Sequence, residues 1–221
     1  MQNNVITGAN AESILSTNKL IRNTYILLSM TLLFSAFTAA ISVLLRMPPS
    51  TYLFSIGGAF LLMWFVLPKT ANSTSGIGVV FLITGLLGFS LGPILNMYLA
   101  LPNGPQIVAT ALGGTGIIFL GLSGYALTTK KDFSFLGGFL FVGFLVVLGA
   151  AILNIFMTIP ALSLALSAAI VMLMSGFILF DTSRMINGGI DNYVLATIQL
   201  YMNIFNLFIS LLHLLGFSRS D

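Results

Sequence analysis

Long apolar runs separated by short polar breaks are the dominant pattern of this chain. A membrane-spanning helix needs about 20 mostly apolar residues, and the runs have about that length. Turn or charge signals such as Arg46-Met47-Pro48-Pro49 and Asn187-Gly188-Gly189 separate them. The predicted spans are 24–45, 51–67, 76–99, 107–128, 133–157, 162–187 and 193–217. The pattern therefore predicts an all-α integral membrane protein with seven transmembrane helices, a polar N-terminal tail (1–23) and a short C-terminal tail (218–221).

The composition excludes several other classes of protein. Hydrophobic residues make up 57% of the chain and charged residues 6%, whereas a soluble domain carries roughly 25% charged residues. The net charge is +3, but the basic residues are scattered singly instead of forming the patch that binds nucleic acid. The chain has no cysteine, which rules out disulfides, thiolate catalysis and cysteine-bound metals.

The basic residues predict how the chain is oriented. Loops on alternate sides divide them unequally, with Arg46 and Arg219 on one side and, on the other, Lys19, Arg22, Lys69, Lys130, Lys131 and Arg184. Because basic loops stay in the cytoplasm, the N-terminus is predicted to be cytoplasmic and the C-terminus to lie across the membrane. That arrangement requires an odd number of helices.

A stripe of polar side chains follows the last predicted helix. Its members are spaced four, three, four and three residues apart, which places them on one helical face: Gln199, Asn203, Asn206, Ser210 and His213. Unsatisfied polar groups in lipid cost several kcal/mol, so this helix is predicted to be central, with the stripe facing the bundle interior. The stripe is either hydrogen-bonding glue between helices or the wall of a hydrated path.

Asp181 is a carboxylate inside an apolar run, about a turn and a half from the cytoplasmic end of the sixth span. Arg184 follows three residues later on the same face. Two interpretations stay open: an Arg–Asp pair at the membrane surface, or a titrating gate group beside the stripe. His213, the single histidine, is either a pH switch or a structural hydrogen-bonded group.

Small residues indicate where helices approach closely. Gly88 and Gly92 form a Gly-x-x-x-Gly pair, a pattern that lets two helix backbones come together in lipid. The contact is either packing within the chain or a dimer interface.

One pattern suggests an enzyme and is rejected. Gly121-Leu122-Ser123-Gly124 matches the Gly-x-Ser-Gly pattern of intramembrane serine proteases, whose serine needs a base within hydrogen-bond reach. His213 is the only imidazole, and the predicted topology separates it from Ser123 by roughly 15–20 Å in depth. No catalytic activity is predicted.

Several short segments, taken in order, resemble the Bax-inhibitor family of membrane proteins over nearly the whole chain after the tail. They include Arg22-Asn23-Thr24-Tyr25, Leu91-Gly92-Pro93-Ile94-Leu95-Asn96, Ala111-Leu112-Gly113-Gly114-Thr115 and the stretch from Asp181 to Gly189. The resemblance implies a seven-helix bundle with a central last helix in the bacterial inner membrane. It also implies association with the membrane-bound ATP-dependent protease FtsH, as its substrate and modulator.

The resemblance implies an alternative function as well. Other bacterial relatives are similar to pH-sensitive calcium leak channels, in which two aspartates on the last two helices share a proton and gate the path. Asp181 matches the first position, whereas the second falls on Asn203. A single carboxylate disfavours both a shared-proton gate and a strong calcium site. Asp181 is therefore at most a weak calcium ligand. Calcium would be the transported ion, and no cofactor is expected. The candidate pathway comprises Asp181, Arg184, Gln199, Asn203, Asn206 and His213.

Overall fold

The computed structural model describes the backbone of residues 2–217 and the side chains of residues 15–217. Seven helices in this part are long and apolar enough to cross a membrane, and no strand occurs in it. The helices are α1 (Gln2–Leu44), α2 (Ser50–Thr70), α3 (Ser75–Leu99), α4 (Gly104–Thr129), α5 (Leu136–Met157), α6 (Pro160–Ile186) and α7 (Tyr193–Phe217). The predicted seven-helix membrane fold is confirmed, while the predicted C-terminal tail, including Arg219, lies outside the described residues.

Helix α1 begins earlier than its predicted span. The apolar run begins at residue 24, but the helix begins at Gln2. Hydropathy marks the point at which a helix enters lipid, and a polar segment without proline can continue the same helix beyond that point. The polar segment 1–23 is therefore helical from Gln2 onward, and its cytoplasmic location stays a prediction.

Helix α2 is longer than the apolar run that predicted it. A five-residue π-helical stretch, Leu62–Val66, interrupts it, and the N–H of Leu67 donates to the carbonyl of Leu62. Pro68 follows directly and has no N–H for the carbonyl of Trp64, so the hydrogen-bond register shifts locally. The helix then continues to Thr70, which makes the span 21 residues long.

Two helices occupy the inside of the bundle. Helix α7 contacts α1, α3, α4 and α6, as its predicted central position requires. Helix α3 is enclosed to the same degree, by α1, α2, α4 and α7. Along the described helices, α2 packs only on α3 and α5 only on α6, so these two lie at the periphery.

The polar loops meet at one end of the bundle. Asn192, just before α7, donates from Nδ2 to the carbonyl of Ala71 (3.0 Å), just after α2. At the same end, the backbone N–H of Phe133 donates to Ser183 Oγ (2.8 Å). We call this the basic end, because its loops and helix ends carry Lys69, Lys130, Lys131 and Arg184. These four residues belong to the group of six on which the predicted orientation rests, and the direction of the bundle in the membrane stays a prediction.

The Gly-x-x-x-Gly pair packs within the chain, where it brings α3 against α1. A Cβ atom on Gly88 would overlap the carbonyl oxygen of Ser35, and one on Gly92 would overlap the side chain of Ser42. Only residues without side chains allow the two backbones to approach this closely. Of the two interpretations of the pair, the structure shows the intramolecular one.

We expect Gly92→Ala to destabilise the bundle by about 1–3 kcal/mol, because the added methyl overpacks the α1–α3 contact. The matched control is Gly78→Ala on the same helix, where a Cβ meets nothing within 4 Å. The control should be neutral or stabilising by up to about 1 kcal/mol, since alanine is the better helix former. Thermal unfolding in detergent compares the two variants, and equal midpoints would contradict the packing argument.

Candidate functional site between α6 and α7

A buried carboxylate and a buried amide face each other between α6 and α7. Asp181 is 6% exposed and Asn203 is 7% exposed. The Nδ2 of Asn203 donates a hydrogen bond of 2.7 Å to Oδ2 of Asp181. Five residues separate Asp181 from the break at Asn187-Gly188-Gly189, so the pair lies inside the bundle near its basic end. The structure thus joins the two positions that the sequence singled out most strongly.

Arg184 makes its hydrogen bond outside this pair. Its Nη2 donates to the carbonyl oxygen of Gly189 at 2.9 Å, and its Cζ lies 5.4 Å from the centroid of the Phe180 ring. Gly188 adopts a positive φ of 77°, which turns the chain back and brings the Gly189 carbonyl to the arginine. Arg184 therefore closes the C-terminal end of α6, and the hydrogen bond of Asp181 goes to Asn203 instead.

A cavity of about 400 Å³ lies beside the Asp–Asn pair, between α2, α5, α6 and α7. Its wall is mostly apolar and includes Met63 of the π-helical stretch. The polar residues that line it are Asp181, Arg184, Gln199, Asn203 and Asn206. Five of the six candidate pathway residues therefore share one cavity, which we call the acidic cavity.

The amides in the acidic cavity differ in how they are satisfied. Asn206 donates from Nδ2 to the carbonyl of Met202 on its own helix at 2.8 Å. Gln199 Oε1 is buried and accepts no hydrogen bond from the described residues. An unsatisfied buried acceptor is costly, so Gln199 is the place where a water molecule or a polar ligand would gain the most.

His213 stands apart from the other candidates. Its Nδ1 is 2.8 Å from Ser167 Oγ, and Ser167 lies fourteen residues before Asp181 on α6. At 1.5 Å rise per residue this is roughly 21 Å along the helix. The structure therefore brings His213 into a separate α6–α7 contact at the far end of the bundle, which favours the structural interpretation.

Three consecutive residues of α6 each bind a different part of the chain. Asp181 binds Asn203 of α7, while Thr182 Oγ1 is 3.2 Å from Ser123 Oγ of α4. Ser183 Oγ accepts from the Phe133 N–H of the α4–α5 loop. Successive side chains on a helix point about 100° apart, so one turn reaches three neighbours. We call residues 181–183 the polar turn.

Ser123 is part of this hydrogen-bonding network. Its hydroxyl contacts Tyr25 of α1 and Thr182 of α6, both near the basic end. His213 contacts Ser167 at the opposite end. The prediction that Ser123 and His213 do not meet is confirmed.

Tyr201 is an important buried polar residue that the sequence analysis missed. It is 1% exposed, its hydroxyl donates to the carbonyl of Thr84 (3.3 Å), and it pairs with Ser35 Oγ at 2.6 Å. The tyrosine thereby ties α7 to both α3 and α1. The presence of a tyrosine inside a predicted span is itself a signal, because its hydroxyl needs a hydrogen-bond partner within the bundle.

A double-mutant cycle tests the pairing of Asp181 with Asn203. Asn203→Leu removes the amide and leaves the carboxylate buried without its partner, which should cost about 1–3 kcal/mol. The double variant Asp181→Leu/Asn203→Leu removes both polar groups, so its loss should be smaller than the sum of the two single losses. Reversible unfolding in detergent or bicelles measures all four proteins, and additive losses would contradict the pairing.

Comparison with known proteins places almost the whole chain in one sequence family. Residues 17–220 match the family model described as "Inhibitor of apoptosis-promoting Bax1". The chain is 50% identical over 209 residues to the Escherichia coli protein named "Modulator of FtsH protease YccA", covering 95% of this chain and 94% of that protein.

Other relatives are similar over the same length. A membrane protein of Vibrio cholerae is 49% identical over 210 residues, covering 95% of this chain and 94% of the relative. A protein of Pasteurella multocida is 42% identical over 205 residues, with 93% and 92% coverage. Because the family model covers residues 17–220 and these relatives are 42–50% identical over most of the chain, the chain belongs to the Bax-inhibitor family of membrane proteins.

Proposed function

We propose that this chain is an inner-membrane modulator of the membrane-bound ATP-dependent protease FtsH. The observation that carries the proposal is the 50% identity, across 94% of its length, with a relative named as a modulator of that protease. A second Escherichia coli relative of the same identity is named as an inner membrane protein. We further propose that the chain restrains the protease by binding it and being degraded slowly, without catalysis of its own.

The arrangement of polar groups supports a binding protein over an enzyme. The Ser123 hydroxyl is held between Tyr25 and Thr182, and it has no imidazole beside it to act as a base. The side chains of the polar turn form hydrogen bonds to neighbouring helices and to the α4–α5 loop. What the chain offers a partner is therefore its surface and its N-terminal segment.

The N-terminal segment 1–18 is the proposed handle for the protease. Among the described residues of α1, the first that pack on the bundle core are Leu20 and Ile21. A polar segment that precedes these contacts along the chain is one that a processive ATP-driven protease could grip. The proposed cytoplasmic side of this segment rests on the unequal distribution of Lys and Arg between the two ends.

We expect deletion of residues 1–18 to reduce both co-purification with FtsH and turnover of the chain by it. A matched control replaces the same residues with a Gly/Ser linker of equal length. This control keeps the length of the N-terminal segment but removes its native sequence. Pull-down and pulse-chase measurements compare the variants in membranes that contain the protease. Unchanged binding and degradation after deletion would contradict the role of this segment.

The alternative function, a pH-sensitive cation leak, is favoured by one observation, the acidic cavity with the buried Asp181. Its weakness is the partner of that aspartate. Asn203 donates to the carboxylate, and an amide cannot share a proton with it as a second carboxylate would. A leak through this chain would therefore depend on one titrating group.

Calcium flux in proteoliposomes separates the two functions. For a modulator without channel activity, we expect flux equal to that of empty liposomes at every pH. Flux that changes with pH and is altered by Asp181→Asn would favour the leak. In that case Asn203→Asp should strengthen the pH dependence by providing the second carboxylate, with Asn206→Asp as a control in the same cavity but away from the hydrogen-bonded pair.

A further inference from the structure

A second cavity lies on a different face of α7 from the acidic cavity. It has a volume of about 420 Å³ and is bounded by α1, α3, α4 and α7. Its wall is formed almost entirely by apolar and small side chains, among them Ala36, Ala40, Leu95, Leu112, Gly116 and Phe208. We call it the apolar cavity.

The apolar cavity is continuous with the lipid-facing surface. Helices α1 and α4 are each packed on α3, α6 and α7, but along the described residues their backbones do not pack on each other. On the side between them, the lining residues Ala36, Ala40 and Leu112 are exposed. Leu33 and Ile117 do not line the cavity and are 73% and 75% exposed on the outer surfaces of the two helices.

The end of the cavity nearer the basic end is closed. Tyr25 of α1 reaches across to α4, where its hydroxyl contacts Ser123 and its ring lies 6.2 Å from that of Phe119. Phe119 lines the cavity. The opening between α1 and α4 is therefore a blind cleft with its mouth toward the membrane.

The few polar groups in the wall already have partners. Tyr201 donates to the Thr84 carbonyl, which makes Ser35 the donor in the Ser35–Tyr201 pair. Thr115 donates to the carbonyl of Ala111 at 2.7 Å. With its hydroxyl protons used, the cavity has no donor for a polar ligand group, and apolar cavities of this kind stay dry and bind apolar molecules.

We propose that the apolar cavity binds an acyl chain of a membrane phospholipid. Its volume lies within the range of small-molecule sites, roughly 300–1,000 Å³. The cavity opens toward the hydrocarbon core of the membrane, where lipid acyl chains surround the protein. Its apolar wall suits a chain of methylene groups. The small residues Ala36, Ala40 and Gly116 leave the space that the chain fills.

Two glycines on α4 provide a matched test. A Cβ on Gly116 or on Gly113 meets nothing within 4 Å, so both positions tolerate a larger residue. Gly116 lines the cavity, whereas Gly113 is exposed and does not line it. Gly116→Leu should fill the cavity, and Gly113→Leu should add the same side chain outside it, at the same cost in backbone propensity.

The experiment uses the full chain in vesicles of phosphatidylethanolamine carrying a diazirine in one acyl chain, with labelled residues mapped by mass spectrometry after illumination. We expect the unaltered chain to be labelled at Ala36, Ala40 and Thr115. Gly116→Leu should lose this labelling several-fold while Gly113→Leu retains it. Ala40→Leu on α1 is a second variant that should fill the cavity and lose the label. It takes the place of Gly116→Leu if that variant does not fold.

Three results would overturn the proposal. The first is labelling confined to outward-facing residues such as Leu33 and Ile117. The second is an equal loss in Gly116→Leu and Gly113→Leu, which would reflect a change in the helix and not filling of the cavity. The third is labelling of the lining residues that Gly116→Leu and Ala40→Leu both leave unchanged, which would place the labelling lipid outside the cavity. Each outcome is independent of protease binding, so the proposed modulator function and the lipid site can fail separately.

Discussion

The need to keep one carboxylate inside an apolar bundle governs the packing of α6 and α7. Asp181 cannot face lipid, and it has a single amide, Asn203, as its hydrogen-bonded neighbour. An isolated charge buried without a partner is far costlier than a paired one. The neighbouring residues Thr182 and Ser183 fix the same turn of α6 to α4 and to the α4–α5 loop. One helical turn thereby holds three elements in position around the acid.

The two cavities give opposite faces of α7 different chemistry. One face presents Gln199, Asn203 and Asn206 to the acidic cavity, and the other presents Tyr201 and Phe205 to the apolar cavity. Tyr201 lies on the side of the apolar cavity, and its hydroxyl is hydrogen-bonded to residues of α1 and α3. Polar and apolar space therefore stay apart within a bundle of only seven helices, and a ligand in either cavity would touch the same central helix.

The sequence predicted those features that lipid imposes directly. Seven apolar runs were visible, and the amides of α7 pointed to its central position. The enclosure of α3 was not predictable in this way, because a leucine that faces lipid and one that faces the core, such as Leu87, have the same hydropathy. Within the candidate site, Asp181 and Asn203 were identified from the sequence. The hydrogen bond of Arg184 was not, because it depends on the left-handed turn at Gly188. The hydrogen bond between Tyr201 and Ser35 was not either, because it joins residues 166 positions apart.

The close contact of α1 with α3 has a consequence for biosynthesis. Helix α1 leaves the ribosome before its partner α3, which emerges only after α2, and within the described helices α2 packs on α3 but not on α1. During this interval α1 resides in the bilayer without its main packing partner. Two of its hydroxyls suit this interval, because Thr31 and Thr38 donate to carbonyls one turn back, on Leu28 and Ser35. The glycine face of α3 can then dock onto a helix already inserted, so the order of synthesis and the order of assembly coincide.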